Sequence, residues 1–408
     1  MHPPRPRSSC TLRWFAWVAI ACIAPARAGD VPTTALSQSI GMDPLLLDYS
    51  SLMFQFPQAV AAPDSVPLAL GITPQGSSVL GYALDGEYAV GASVQSGRLG
   101  FFALSQRVLE SPRYSNARST LLQFGTGVRV GPLRFGAAVR GLRDKEQSEY
   151  LRDGGPNYVY GGAAENIHDL VEPAFGVGVV AGRVSVDAVL ELGFESYQIG
   201  ALSVGQDTTA IQLLADTGAL PSGAVRFAAS LGGWGRLIAA GQYGWAEIDW
   251  QGFRFDNRLR VLEYHETREV WLAGSALVFS TRHIDRVAIA TTFERRIDPR
   301  FSPAGSRDAE RSVRDSRSGA ASLAIARQLY PTLWGHAAVV LTYFESFDDV
   351  TDFDSQGINR EVRSQEYFED RFSWGASYSR REFDAVASVN TSLRLYDPIV
   401  ALDAHLHF

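Results

Sequence analysis

The sequence predicts an all-β fold: a single antiparallel transmembrane β-barrel of about 14–16 strands with an N-terminal plug-like segment. Three observations predict it. Long runs alternate apolar and polar residues with period two, as in Val184, Val186, Ala188, Leu190, Leu192 and Phe194 against Ser185, Asp187, Glu191 and Glu195. The connections between such runs alternate short and long. Beyond the first residues, no stretch is apolar for the roughly 18–20 residues that a membrane helix needs. A mean hydropathy close to zero fits either a soluble protein or a barrel, so periodicity has to separate them.

The N-terminus is read first. Arg5, Arg7 and Arg13 form a basic leader, Trp14 to Ala24 is a short apolar run, and Ala26-Arg27-Ala28 offers small residues where a signal peptidase cuts. Residues 1–28 are therefore expected to be a cleaved secretion signal. The alternatives are a short buried helix, or a lipoprotein acylated on Cys22, which Ala19-Ile20-Ala21 fits poorly. Cleavage removes both cysteines, Cys10 and Cys22, which excludes disulfide and thiolate chemistry in the mature chain. It also removes four arginines and no acid, taking the formal charge from -7 to about -11. So acidic a chain gives no support to nucleic-acid binding.

Candidate strands begin near Ser77, Glu87, Leu99, Ser119, Leu133, Phe175, Val184, Ala224, Leu237, Val270, Arg286, Ala321, Leu333, Phe372, Phe383 and Ile399. Those at Leu237, Val270 and Leu333 alternate poorly, and the hairpin near Asp85-Gly86 is the least secure. Most runs are about 9–14 residues long, closer to a tilted membrane strand than to the ~5–6 of ordinary strands. Short turns are expected at Ser96-Gly97, Gly131-Pro132, Gly182-Arg183, Gly232 to Gly235, Arg282 to Asp285, Tyr330 to Thr332 and Arg380 to Glu382. Long or polar connections are expected near 109–118, 144–169, 196–222, 250–265, 297–317 and 345–364. The competing all-β reading is a pair of soluble sandwiches, which needs no lipid-compatible face.

A Lys or Arg on the lipid side at mid-bilayer costs about 2–4 kcal/mol, and the better strands carry no charge on their apolar face. The opposite face is expected to line the lumen through Arg134, Arg140, Asp187, Glu191, Glu195, Asp384, Arg394, Asp403 and His405. Trp234, Trp245, Trp250, Trp271, Trp334 and Trp374 fall at or near strand ends, which suits an interfacial girdle. For any one of them simple packing is the commoner role.

The last run places Val400, Leu402, Ala404, Leu406 and Phe408 on one face and Ala401, Asp403, His405 and His407 on the other. A strand ending on an aromatic residue resembles the signal read by the barrel-assembly machinery of Gram-negative outer membranes, carried here by Leu402, Leu406 and Phe408. That resemblance implies an outer-membrane protein with Phe408 at the periplasmic side. Residues 29–73 read differently, with Asp43-Pro44, the stretch Leu45 to Ser51, Phe54-Gln55-Phe56-Pro57, Pro63, Pro67 and then Pro74. An Asp-Pro step and an apolar-polar stretch ahead of a barrel resemble the fatty-acid-transporter (FadL) and PorV-type superfamily. The Asn-Pro-Ala step usual there is replaced by Asp48-Tyr49-Ser50. The expected organisation is a signal at 1–28, a plug or hatch at 29–73 and a barrel at 74–408.

Three functions follow as expectations. The first is a channel or transporter for small molecules, hydrophobic ones if the resemblance holds. The second is a structural or secretion-associated component, suggested by PorV-type proteins and by the polar stretches 144–169 and 297–317. The third is an outer-membrane enzyme, which needs a nucleophile or paired carboxylates beside a histidine. His168, His265, His283, His336, His405 and His407 show no such pattern in sequence, so no enzyme and no catalytic residue is expected. Asp403, His405 and His407 share a face at metal-ligand spacing, but a polar lumen wall explains them equally. Asp348, Asp349, Asp352 and Asp354 after Glu345 lack a calcium-loop spacing and read as a solvated loop. No cofactor or metal is expected; the partners are outer-membrane lipid, lipopolysaccharide, the assembly machinery and a small-molecule cargo.

Overall fold

The computed structural model describes residues 54–61, 68–74, 86–96, 98–109, 118–153, 159–204, 209–217, 219–256, 259–281, 284–303, 309–353, 358–380, 383–392 and 399–406. The expected signal at 1–28 lies outside them, as do Arg394, His407 and Phe408. Within these limits the chain is a 3₁₀ turn at Pro57–Ala61 followed by strands β1 (Leu68–Pro74), β2 (Gly86–Ser96), β3 (Leu99–Leu109), β4 (Arg118–Val130), β5 (Leu133–Asp153) and β6 (Val159–Ala181). There follow β7 (Val184–Val204), β8 (Thr209–Asp216), β9 (Leu220–Ser230), β10 (Arg236–Asp256), β11 (Leu259–Phe279) and β12 (Arg286–Pro303). The last are β13 (Ala309–Tyr330), β14 (Leu333–Phe353), β15 (Ile358–Arg380), β16 (Phe383–Ser392) and β17 (Ile399–Leu406).

All seventeen belong to one antiparallel sheet. β1 pairs with β2 through Ile72↔Tyr88 and with β17 through Leu70↔Ala404, so the succession of hydrogen-bonded neighbours returns on itself. β8 and β9 share one place in that ring. The lower half of β7 pairs with β9 (Val184↔Ala229) and its upper half with β8 (Ser203↔Thr209), and β10 faces both in the same way. Thr217 bridges the interruption: its amide donates to the Glu195 carbonyl at 2.9 Å, and its hydroxyl accepts from the Glu195 amide at 3.0 Å. Seventeen strands thus occupy sixteen places. An even number lets consecutive antiparallel strands close without a mismatch.

Alternation decides what each face meets. On β5, Phe135 and Val139 are exposed while Arg134, Ala138 and Arg140 are buried; on β6, Val171, Phe175 and Val177 are exposed while Leu170, Glu172 and Ala174 are buried. Apolar side chains thus face outward and polar ones inward, the reverse of a water-soluble sandwich. Outward positions carry no charge from Leu133 to Gly141 on β5 or from Gly335 to Tyr343 on β14, the span that a tilted transmembrane strand needs, about 9–11 residues. Beyond this band aromatic pairs mark the boundary, Trp271 with Phe293 at 4.8 Å and Tyr343 with Phe368 at 5.0 Å. Charges follow immediately, including Arg143 beside Asp169 and Arg295 forked onto Asp315 at 3.0 and 2.9 Å. Asp370 departs from the pattern, standing on the outward face of β15 opposite Leu341.

At the short-turn end Gly131 and Gly182 have φ of 61° and 62°, left-handed values that the tight hairpins require and that side chains resist. At the other end the sequence reading needs correction. The stretches 144–169, 196–222, 250–265, 297–317 and 345–364 are largely strand, continuing β5–β8 and β10–β15 to lengths of 21–23 residues in β5, β6, β14 and β15. Above the membrane the outer face meets water rather than lipid, so the pairing persists without strict alternation, while Ile199, Leu213, Ala215 and Trp250 of β7, β8 and β10 pack together inside. The first strand is β1, ahead of the expected start near Ser77 and overlapping the expected end of the N-terminal segment. Trp250 and Trp334 point inward, the first buried and the second under the Arg286 guanidinium at 5.3 Å from the ring centre. Asp348 is a strand residue forked by Arg314 at 2.6 and 2.8 Å, not part of a solvated loop.

Candidate functional site

The core lies inside the ring. It joins Phe54, Phe56 and Val60 to Phe102 and Leu104 on β3, Leu121 on β4, Ala138 on β5 and Ala174 on β6. It continues over Val189 on β7 and a row of small residues, Ala224, Ala228, Ala240, Ala276 and Ala290, on β9–β12. Phe54–Ala61 is thus packed against the buried face of the wall, with Phe54 edge-on to Phe102 at 5.5 Å.

Glycines on that face make room for the segment. A Cβ at Gly100 falls 2.5 Å from the Val60 carbonyl oxygen, and one at Gly136 or Gly176 collides with Pro57 and Gln58. Polar groups then fix the register of the segment. The Gln58 amide reaches the carbonyls of Val177 and Ala188 at 3.2 and 3.3 Å and the Asp187 carboxylate at 3.3 Å. Gln123 donates to the Phe54 carbonyl at 2.5 Å, Arg140 donates to the same oxygen at 3.4 Å, and Gln55 donates to Gln242 at 3.3 Å. A short segment without a sheet partner needs such bonds, because a buried amide left unmet costs about 1–3 kcal/mol.

The candidate lumen residues fall into two groups. Arg134, Arg140, Asp187, Glu191 and Glu195 are buried on this inner face. Arg134 contacts both Asp187 oxygens at 3.0 and 3.1 Å, Arg140 holds Glu172 at 3.2 Å, and Ser222 donates to Glu191 at 2.8 Å. Glu195 accepts from the Tyr197 hydroxyl and lies 3.5 Å from Arg268. Asp384, Asp403, His405 and Leu402 and Leu406 of the terminal signal stand on β16 and β17, where the described residues fix only the backbone pairing, Asp384↔His405 among them. Arg394 and Phe408 lie outside the described residues.

Residues that the sequence did not single out complete the interior: Gln58, Gln123, Glu172, Arg226 and Gln242, all buried, and Arg268. Inward-facing glycines on adjacent strands, Gly127, Gly136 and Gly176, are the signal that was available. Three histidines gain partners that sequence spacing hides. His168 stands between Asp144 (3.3 Å) and Glu195 (3.6 Å) and stacks on Tyr197 at 4.4 Å, with Arg268 donating to the Tyr197 hydroxyl at 2.6 Å. His265 meets Asp249 at 2.7 Å on the outer face, and His336 meets Ser377 at 2.7 Å. The His168 cluster ties β5, β6, β7 and β11 together. His283 lies outside the described residues. Among the described residues no grouping of three or more His, Cys, Asp or Glu suits a metal ion.

Across the ring the inner wall is open. On β12–β15 one rung of register neighbours is Thr292–Ala320–Thr342–Glu369, none of them fully buried. The next rung toward the long-strand end is Glu294–Ser318–Phe344–Tyr367, and Phe344 and Tyr367 pack at 4.8 Å. Arg296, Ser316, Ser346 and Gln365 form the rung beyond it. Ion pairs here run along single strands, Glu294–Arg296 at 3.1 Å and Glu369–Arg371 at 2.9 Å.

An antiparallel ring with a largely apolar exterior, aromatic boundaries and a polar interior is a transmembrane β-barrel of the outer-membrane type. Among solved structures the chain resembles a FadL homologue of Pseudomonas aeruginosa, with TM-score 0.51 and 10% identity over 93% of this chain and 99% of that one. Weaker likenesses are the CymD monoaromatic hydrocarbon channel (TM-score 0.48, 10% identity, 93% and 98% covered) and the Pseudomonas putida toluene transporter TodX (0.43, 11%, 93% and 98%). At these identities the likeness is one of fold, and it agrees with the FadL-type resemblance at the N-terminus. No protein-family model matches the chain, and no curated protein matches it.

Proposed function

We propose that the protein is a channel or transporter that passes small molecules across the outer membrane, and that the segment within residues 29–73 acts as a plug or hatch occupying part of the lumen. The observation that carries this reading is the unequal interior. Phe54–Ala61 fills the side lined by β3–β6, while the charged side chains Glu294, Arg296, Glu369 and Arg371 on β12–β15 stay a third to a half exposed. A barrel of this size has more interior than its own wall can fill, and a single short segment leaves a passage beside it. The likeness in fold to a FadL homologue supports transport. We place the chain in the outer membrane as a multi-pass barrel, with lipid and lipopolysaccharide around it and the assembly machinery acting on its terminal strand.

Reconstitution in planar bilayers tests the reading. Stepwise conductance is expected; absence of both conductance and hydrophobic-ligand uptake removes the transport idea. One observation favours a second reading, a structural or secretion-associated role: β5, β6, β14 and β15 rise well past the aromatic boundary and offer a wall to a partner. Consistent co-purification of another protein in mild detergent supports that role, and a barrel that always elutes alone counts against it.

A further inference from the structure

We infer that the route through the barrel runs along the inner face of β12–β15 and admits small hydrogen-bonding solutes, favouring zwitterions over uncharged molecules of similar size. The inference rests on the transport reading and names its cargo class.

The argument starts from composition. The accessible part of the strip is lined by hydroxyl and charged groups, Thr292, Ser318 and Thr342 with the pairs Glu294–Arg296 and Glu369–Arg371. Aromatic contact in this part is Phe344 with Tyr367, and Trp334 stands under Arg286 nearer the short-turn end. The charged side chains keep water: Glu369 and Arg371 are 39% and 50% exposed, Glu294 and Arg296 33% and 37%. A hydrocarbon sliding along this face strips water from charged groups and returns no hydrogen bond, an unfavourable exchange. A solute with an ammonium and a carboxylate replaces that water, meeting Glu369 or Glu294 with one end and Arg371 or Arg296 with the other.

The signs also repeat with a spacing. Each pair stands at positions i and i+2 of one strand, with Cα atoms about 7 Å apart and the charged groups in contact at 3.1 and 2.9 Å. Farther out Arg314, Asp348 and Arg363 continue the alternation across three strands. Interspersed opposite charges, three acids and four bases among those named, largely offset the field that a single-sign lining would impose on passing ions.

Two readouts test this on the full chain in lipid. In planar bilayers under a potassium chloride gradient the wild type is expected to show a reversal potential near zero. Arg371→Gln leaves Glu369 facing the path and shifts it toward cation selectivity, Glu369→Gln shifts it toward anions, and Arg317→Gln on the outer wall leaves it in place. In liposome swelling, glutamine is expected to enter several-fold faster than arabinose, an uncharged solute of nearly the same size, and the fourfold Gln variant at 294, 296, 369 and 371 to lose that preference. Conductance with unmoved reversal potentials, or equal entry of the two solutes, overturns the inference and leaves the channel standing. Absence of both conductance and swelling overturns the channel reading and this inference with it.

Discussion

The two sides of the interior differ in how their charges are kept. On the β5–β7 side Arg134 and Asp187 are paired at 10% and 7% exposure, and Arg140 and Glu172 at 7% and 2%. On the β12–β15 side the pairs Glu294–Arg296 and Glu369–Arg371 are a third to a half exposed, and Arg314–Asp348, at 32% and 10%, is intermediate. The pairs are chemically alike, yet the first set is sealed beneath Phe54–Ala61 and the second meets water. The wall is thus built from one alternating pattern, and its two sides are made different by what a separate stretch of chain covers. A buried pair is costly to break because the survivor is left charged in a poor solvent, whereas an exposed pair leaves a hydrated ion.

That difference can be broken in a graded way. The largest expected effect is from Arg134→Met, which strands Asp187 among buried groups and should cost about 3–5 kcal/mol in urea unfolding from lipid vesicles. Next is Leu341→Arg on the outer wall, expected to cost about 2–4 kcal/mol in the same assay if that face meets acyl chains. Gly136→Val comes third. Its new side chain meets Pro57 and Gln58, and overpacking of about 1–3 kcal/mol should displace the segment and raise single-channel conductance. The smallest is Arg371→Gln, which should change stability by at most about 1 kcal/mol while altering ion selectivity. Equal costs for Arg134→Met and Arg371→Gln would contradict a sealed side and an open side.

The membrane-embedded halves of the strands were legible in the sequence because one face must be apolar there and the other need not be. Leu133 to Val139, Val184 to Phe194 and Phe372 to Tyr378 show this directly. Above the membrane that constraint lapses. Residues such as Asp144, Glu146 and Glu149 on β5 are polar on both faces, so the strand continues without a periodic signature and reads as a loop. β8 was lost for the same reason, and β1 because Pro67 and Pro74 frame a run too short to show alternation. Alternation also assigned charges to a face but could not assign their partners. Asp187 answers Arg134 and Gln58, 53 and 129 residues away, and only the closed register brings them together. The segment Phe54–Ala61 looked apolar and unlike a strand, while its place became evident only from the glycines that accommodate it on β3, β5 and β6.

Single-cysteine accessibility tests the central claim most directly, because the two native cysteines, Cys10 and Cys22, precede the expected cleavage point and can be replaced by serine. Ser318→Cys and Thr342→Cys on one side, and Ala138→Cys and Val189→Cys on the other, are treated with a small water-soluble thiol reagent in lipid while current is recorded. The account predicts rapid modification and reduced current at 318 and 342, and protection at 138 and 189 that is lost when Gly136→Val is added. Equal reactivity at all four positions in the otherwise unaltered barrel, or protection at 318 and 342, would contradict it.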